Sequence, residues 1–314
     1  MSELPELRSR RSARELRLGL VNNMPDSALE TTERQFISLL AEASDGISID
    51  LVLYALSGIP RQGAAASRVN QFYESADALF SRGVDGLIVT GREPVTPNLD
   101  EEPYWKSFTA LLEWARDETY STIWSCLAAH AGVLHMDGIK RIRKDQKLCG
   151  ALHCRRILSH PLNEGSPPQF QLPHSRWNGL PEDKLIESGY RILSMTEDAD
   201  VDSFCKEGKS LFVFLQGHPE YESSTLLDEY RRDVSRYVAR ELAAYPSMPR
   251  DYFNAETAHR LTAIQQAAFI GRTVGLFSEV DRALKDAKVE NNWRPTAICL
   301  YRNWLNYLAM KRDR

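Results

Sequence analysis

Short apolar runs alternate with amphipathic stretches along the first 245 residues, and this alternation predicts strands and helices in turn. Residues 17–22 (RLGLVN) read as a strand that ends at the turn residues Asn23, Pro25 and Asp26. Leu29, Phe36, Leu39 and Leu40 then recur at helical spacing over 27–40. Residues 47–56 (ISIDLVLYAL) make a second strand and 70–82 a helix. Residues 85–91 (DGLIVTG) are the near-continuous apolar run of a parallel strand covered on both faces. A helix over 104–119, a strand over 121–125, a small-residue helix start over 128–135, a strand over 210–215 and a long helix over 223–244 follow. This order predicts an α/β fold, a mostly parallel sheet with helices on both faces.

The pattern changes at Tyr245-Pro-Ser-Met-Pro249, where two prolines stop the last helix. A mostly helical, mixed-charge stretch then runs through Lys288, and an aromatic segment over 293–307 either packs back on the sheet or meets a second subunit. The expected organisation is a polar segment over 1–16, a catalytic domain over 17–245, and a helical, aromatic extension over 246–314 packed on that domain.

Composition narrows the class of function. With 314 residues, 43% of them hydrophobic, the chain can bury a sizeable core. A net charge of −4 with scattered Lys and Arg gives no broad surface for nucleic acid, so small-molecule substrates are expected. No apolar run approaches the roughly 18 to 20 residues of a membrane helix, and the Arg-rich start lacks the apolar centre of a secretory signal, which predicts a cytoplasmic protein without a membrane partner. Five cysteines form an odd set with no CxxC pair, and the seven histidines show no HxxxH or HExxH spacing, so neither a disulfide framework nor a metal site is expected.

Cys126 falls between the 121–125 strand and the following helix. A strand-to-helix turn exposes a side chain while the next backbone N–H and the helix N-terminus favour negative charge. The alternative is a buried cysteine acting as a small hydrophobe. His218 and Glu220, two residues apart after the 210–215 strand, change that balance: in extended chain they face one side, so Glu220 can orient His218 while His218 takes the proton of Cys126.

The segments NNMP and TERQF (22–36), DGLIVTG (85–91), STIWSC (121–126), KLCG (147–150), PHSR (173–176), GHPEY (217–221), RD (232–233), DYF (251–253), WR (293–294) and NWLNY (303–307) stand in an order and spacing that resemble the homoserine O-acyltransferase family. The resemblance implies the flavodoxin-like fold of class I glutamine amidotransferases. It implies Cys126 as acyl-accepting nucleophile, His218 as base and Glu220 as its partner, with Lys147, Ser175, Arg176 and Arg232 binding substrate. Guanidinium groups suit a carboxylate, which they grip bidentately. Acyl-CoA is then a co-substrate and no cofactor is bound. The oxyanion donors are the N–H of Leu127 and one near Gly91 or Arg92. The family's habit suggests a homodimer.

The chain departs from the family where Asp26 and Ser27 replace a lysine pair after NNMP, in the Arg92-Glu-Pro-Val-Thr96 loop, and in a longer 254–292 stretch. Succinyl and acetyl donors, serine in place of homoserine, a glutaminase, and a non-catalytic relative are the readings this leaves open.

Overall fold

The computed structural model describes residues 15–313 and contains a ten-stranded sheet. Its strands are β1 (Glu15–Val21), β2 (Ser48–Ala55), β3 (Tyr73–Ser75), β4 (Gly86–Val89), β5 (Ser121–Ser125), β6 (Ile142–Arg156), β7 (Gln169–Gly179), β8 (Arg191–Thr196), β9 (Val201–Lys206) and β10 (Leu211–Leu215). The order is β3-β2-β1-β4-β5-β10-β9-β8-β6-β7. From β3 to β10 every pairing is parallel; from β10 to β7 every pairing is antiparallel. The α/β class with a mostly parallel sheet is therefore observed, with an antiparallel wing that the apolar pattern did not predict. Most of the 1–16 segment, residues 1–14, lies outside the described residues.

The helices are α1 (Leu29–Ala43), α2 (Gly63–Phe72), α3 (Ala76–Arg82), α4 (Trp105–Glu118), α5 (Leu127–Asp137), α6 (Glu182–Glu187), α7 (Thr225–Val238), α8 (Ala255–Ile270), α9 (Val274–Lys285) and α10 (Arg294–Arg312). Alternate strand residues feed two cores, as the two-residue period of a strand requires. Val21, Leu87, Val89, Trp124 and Phe214 pack with Phe108 of α4 and Ala128 of α5 on one face. Leu18, Leu20, Ile88, Ile123 and Val213 pack with Phe36 of α1 and Tyr301 and Trp304 of α10 on the other.

The closing aromatic segment thus packs back on the sheet. Trp304 is fully buried and its Nε1 donates to Ser121 Oγ at 2.9 Å, while Ser121 Oγ donates to the Leu211 carbonyl at 2.6 Å. Trp304→Ala is expected to cost about 3–5 kcal/mol, from the cavity and the lost bond together. Urea unfolding monitored by circular dichroism measures it; a cost under about 1 kcal/mol would show that α10 contributes little to the core.

Two helices depart furthest from their predicted bounds. The helix expected over 70–82 is broken by β3, because Tyr73–Ser75 pairs with the end of β2 and Tyr73 donates its hydroxyl proton to Glu33 Oε1 at 2.6 Å. Ser75 Oγ then accepts from the Ala78 N–H and starts α3 afresh. The helix expected over 223–244 ends at Val238: Arg240 takes φ 65°, and Arg272 donates to the carbonyls of Leu242 and Ala243 beyond it.

Candidate active site

Cys126 sits directly between β5 and α5 with φ 51° and ψ −113°, a conformation that L residues adopt only under constraint. Its N–H donates to the Leu215 carbonyl of β10 at 2.7 Å, which pins the elbow to the neighbouring strand. Leu127 is the first residue of α5, so its N–H is one of the four that an α-helix leaves without an internal acceptor. Gly91 presses against it: a Cβ at that position would lie 2.6 Å from the Leu127 nitrogen, so only glycine fits. The Gly91 N–H is already given to the Ser125 carbonyl at 3.1 Å, so it is not free for a substrate oxygen.

The chain leaving β10 brings His218 to the same place. His218 N–H donates to the Pro173 carbonyl of β7 at 2.7 Å, and its Nδ1 lies 2.8 Å from Glu220 Oε1. This pairing is made across a turn, not along extended chain as expected from the sequence. The ring stacks on Tyr221 at 4.3 Å and lies close enough to Cys126 to feel its charge. Burial disfavours a charge on His218, and this is the largest single influence. The charges of Cys126 and Glu220 and the hydrogen bond to Glu220 outweigh it, so the pKa stands well above its ordinary value. A cationic ring beside a thiol is the arrangement that makes the sulfur nucleophilic.

The antiparallel wing supplies the opposite wall. The β6–β7 register sets Leu148 against Arg176 and Cys149 against Ser175, so Lys147, Ser175 and Arg176 arrive together. Across from them, α7 presents Glu229 and Asp233 one helical turn apart. Lys147 Nζ lies 3.3 Å from Asp233 and 3.6 Å from Glu229. Burial opposes its charge most strongly, but the two carboxylates and Cys149 raise its pKa. Ser175 Oγ donates to Glu229, Tyr221 donates to the same carboxylate at 2.7 Å, and Arg232 pairs with Asp233 at 2.8 Å. Arg176 is buried, and one of its guanidinium nitrogens, Nη2, has no hydrogen-bond partner among the described residues.

Cys126, Leu127, Arg92, His218, Glu220, Lys147, Ser175, Arg176 and Arg232 all line one cleft of about 1380 Å³. The sequence profile of homoserine O-succinyltransferases matches residues 4–314. The chain belongs to this family. The homoserine O-succinyltransferase of Methylorubrum extorquens is 42% identical over 301 residues, covering 96% of this chain and 88% of that one. That of Bradyrhizobium japonicum is 43% identical over 296 residues, covering 94% and 90%. A glutamine amidotransferase from Thermotoga maritima of known structure is similar over 88% of this chain and 100% of that one, at 12% identity and a TM-score of 0.45.

For a homoserine O-succinyltransferase-type enzyme the site holds more than the sequence motifs indicated. Glu229 was missed, although its i, i+4 spacing from Asp233 and i, i+3 spacing from Arg232 put all three near one face of a helix. The Asp26 that stands in place of the family's lysine pair is met by Arg61 Nη1 at 3.2 Å, and Arg61 also donates to the Asn22 carbonyl at 3.0 Å. A cation is thus present beside NNMP, although it is tied to protein groups. One cluster of possible metal ligands exists among the described residues: Cys154, His174 and Asp202, with ligand atoms within 4.8 Å of one another. Burial pushes the Cys154 thiol far up, and Arg176 Nε donates to the other ring nitrogen of His174, Nδ1, an arrangement that suits hydrogen bonding more than a cation. No described helix is long and apolar enough to cross a membrane.

Proposed function

We propose that the enzyme moves a succinyl group from succinyl-CoA to the hydroxyl of L-homoserine through a thioester on Cys126, in the cytoplasm, as a step of methionine biosynthesis. The observation that carries this reading is His218, hydrogen-bonded to Glu220 and within reach of the Cys126 charge, beside the strained Cys126 elbow in the cleft. The sulfur attacks the thioester carbonyl of the donor. The oxyanion that forms faces the N–H groups of Leu127 and Arg92, and the CoA thiolate leaves with a proton from His218. Exchange of one thioester for another is nearly isoenergetic, so the protein's task is to position the groups and stabilise the tetrahedral state.

Acylation also changes the base. Once the sulfur carries an acyl group it bears no charge, and the strongest influence that raised the His218 pKa disappears. Burial then pulls the ring toward its neutral form, with Glu220 still holding its orientation. Neutral His218 takes the homoserine hydroxyl proton, the oxygen attacks the acyl carbon, and the C–S bond breaks to restore the Cys126 sulfur. The amino acid is a zwitterion, and the wall formed by Arg176, Arg232, Lys147, Glu229 and Asp233 offers both signs of charge to it.

Intact-protein mass spectrometry after brief mixing with succinyl-CoA tests the reading. A succinyl adduct on wild type, absent from Cys126→Ala and discharged by homoserine, is expected. An adduct formed only from acetyl-CoA, or discharged only by serine, would change the substrates. No adduct with either ester would reject the thioester route.

A further inference from the structure

Behind the cleft wall a buried polar chain ends on Arg176. Ser194 Oγ donates to Asp202 Oδ2 at 2.6 Å. Asp202 Oδ1 lies 3.1 Å from His174 Nε2, at hydrogen-bonding distance although off the N–H axis. Arg176 Nε donates to His174 Nδ1 at 3.3 Å, and Arg176 Nη1 donates to the Asn178 carbonyl at 2.6 Å. His174, Asp202 and Arg176 are 0%, 1% and 5% exposed, so the chain lies away from bulk solvent.

The chemistry of the donors fixes the ring. A guanidinium has five N–H donors and no acceptor, so His174 Nδ1 facing Arg176 has to be the unprotonated nitrogen. The single proton of the neutral ring is then on Nε2, on the side of Asp202. Burial, helped by the Arg176 charge, lowers the His174 pKa against the pull of Asp202, which keeps the ring neutral and Nδ1 an acceptor. The main chain seals the pair: a Cβ on Gly217, the residue before His218, would lie 2.9 Å from both Asp202 Oδ1 and His174 Nε2.

With Nε and Nη1 held, the third nitrogen of Arg176, Nη2, is buried without a hydrogen-bond partner among the described residues. Nη2 stands 3.9 Å from Asp200 Oδ2, a long ion pair beyond hydrogen-bond distance, while the other carboxylate oxygen, Oδ1, takes Lys144 Nζ at 2.6 Å. Arg176 lines the cleft and is close enough to Cys126 to interact with its charge. We propose that His174, held in its Nε2–H tautomer by Asp202, is a positioning residue that fixes Arg176 so that Nη2 meets a substrate carboxylate. This rests on the reading that the cleft takes carboxylate-bearing substrates. The carboxylate belongs either to the amino acid or to the succinyl group.

Two measurements test the proposal. In the folded wild-type protein, long-range ¹⁵N–¹H correlation of labelled histidine is expected to show His174 with Nε2 protonated and Nδ1 bare; a protonated Nδ1 overturns it. In kinetics, His174→Gln keeps a donor toward Asp202 but leaves nothing at the Nδ1 position, whereas His174→Asn places its amide oxygen there. His174→Gln is expected to raise the KM of one carboxylate-bearing substrate about tenfold, with kcat changed less than about threefold, and His174→Asn to restore most of the loss. Arg176→Gln is the control. If it raises that KM while His174→Gln does not, the positioning role fails alone; if it leaves every KM unchanged, the carboxylate contact fails and the positioning role with it. A rise for homoserine with succinyl-CoA and acetyl-CoA alike assigns the contact to the acceptor, and a rise confined to succinyl-CoA assigns it to the donor.

Discussion

Cys126→Ala is expected to lower acyl transfer by about 10⁴-fold or more and to leave the fold intact. Removing the nucleophile of a triad leaves only the contribution of binding and oxyanion stabilisation, which sets this scale. The same position tests the strain. Cys126 is held at φ 51°, where a β-carbon is penalised, and its N–H is bonded to β10 at 2.7 Å, so the elbow cannot relax. Cys126→Gly is therefore expected to be as inactive as the alanine variant yet more stable than it by about 1 kcal/mol. Steady-state rates and thermal unfolding of the three proteins decide the matter. Residual activity within tenfold of wild type would remove Cys126 from the chemistry, and equal stability of the two variants would remove the strain.

His218→Asn is expected to cost activity on a similar scale and to change how stability depends on pH. In the native protein the His218 pKa lies above its unfolded value of about 6.5. A group whose pKa is raised on folding stabilises most below its unfolded pKa, and that stability is lost as pH rises through the folded value. Wild type should therefore lose thermal stability relative to His218→Asn as pH is raised from about 6.5 into the alkaline range. Parallel melting curves for the two proteins across that window would contradict a charged His218. A variant that kept its rate would remove it as the base.

The apolar pattern read the central parallel strands β4, β5 and β10 well because they are covered on both faces. Such a strand is a nearly pure run of apolar residues, as in Gly86–Val89 and Leu211–Leu215, where every position is buried. The antiparallel wing was not legible for the opposite reason. Half of β6 is polar (IRKDQK), and its register with β7 shifts between Arg143 and Leu148, so no simple period marks it. The break of the expected 70–82 helix likewise came from a partner distant in sequence, the edge of β2, which no local signal in Tyr73–Ser75 announces.

The site divides along the same line. Cys126 was legible because a cysteine after an apolar strand and before small residues is a local pattern, and His218 with Glu220 because they stand two positions apart. Glu229, His174 and Asp202 were not singled out, since their importance lies in what they face. Glu229 gains its role from Ser175, Tyr221 and Lys147, which approach from other elements.

By itself, then, the sequence determined the class of fold, the elbow carrying Cys126, and the types of residue that could do its chemistry. These depend on short-range periodicity and on motifs that local geometry explains. The tertiary structure decided which chains meet there: the turn that pairs His218 with Glu220, the register that delivers Lys147, Ser175 and Arg176 opposite α7, and the buried histidine behind Arg176. Even where the paired residues are close in sequence, the walls around them come from segments tens of positions away, and the burial and charge that set the His218 and His174 protonation states exist only once those segments have packed.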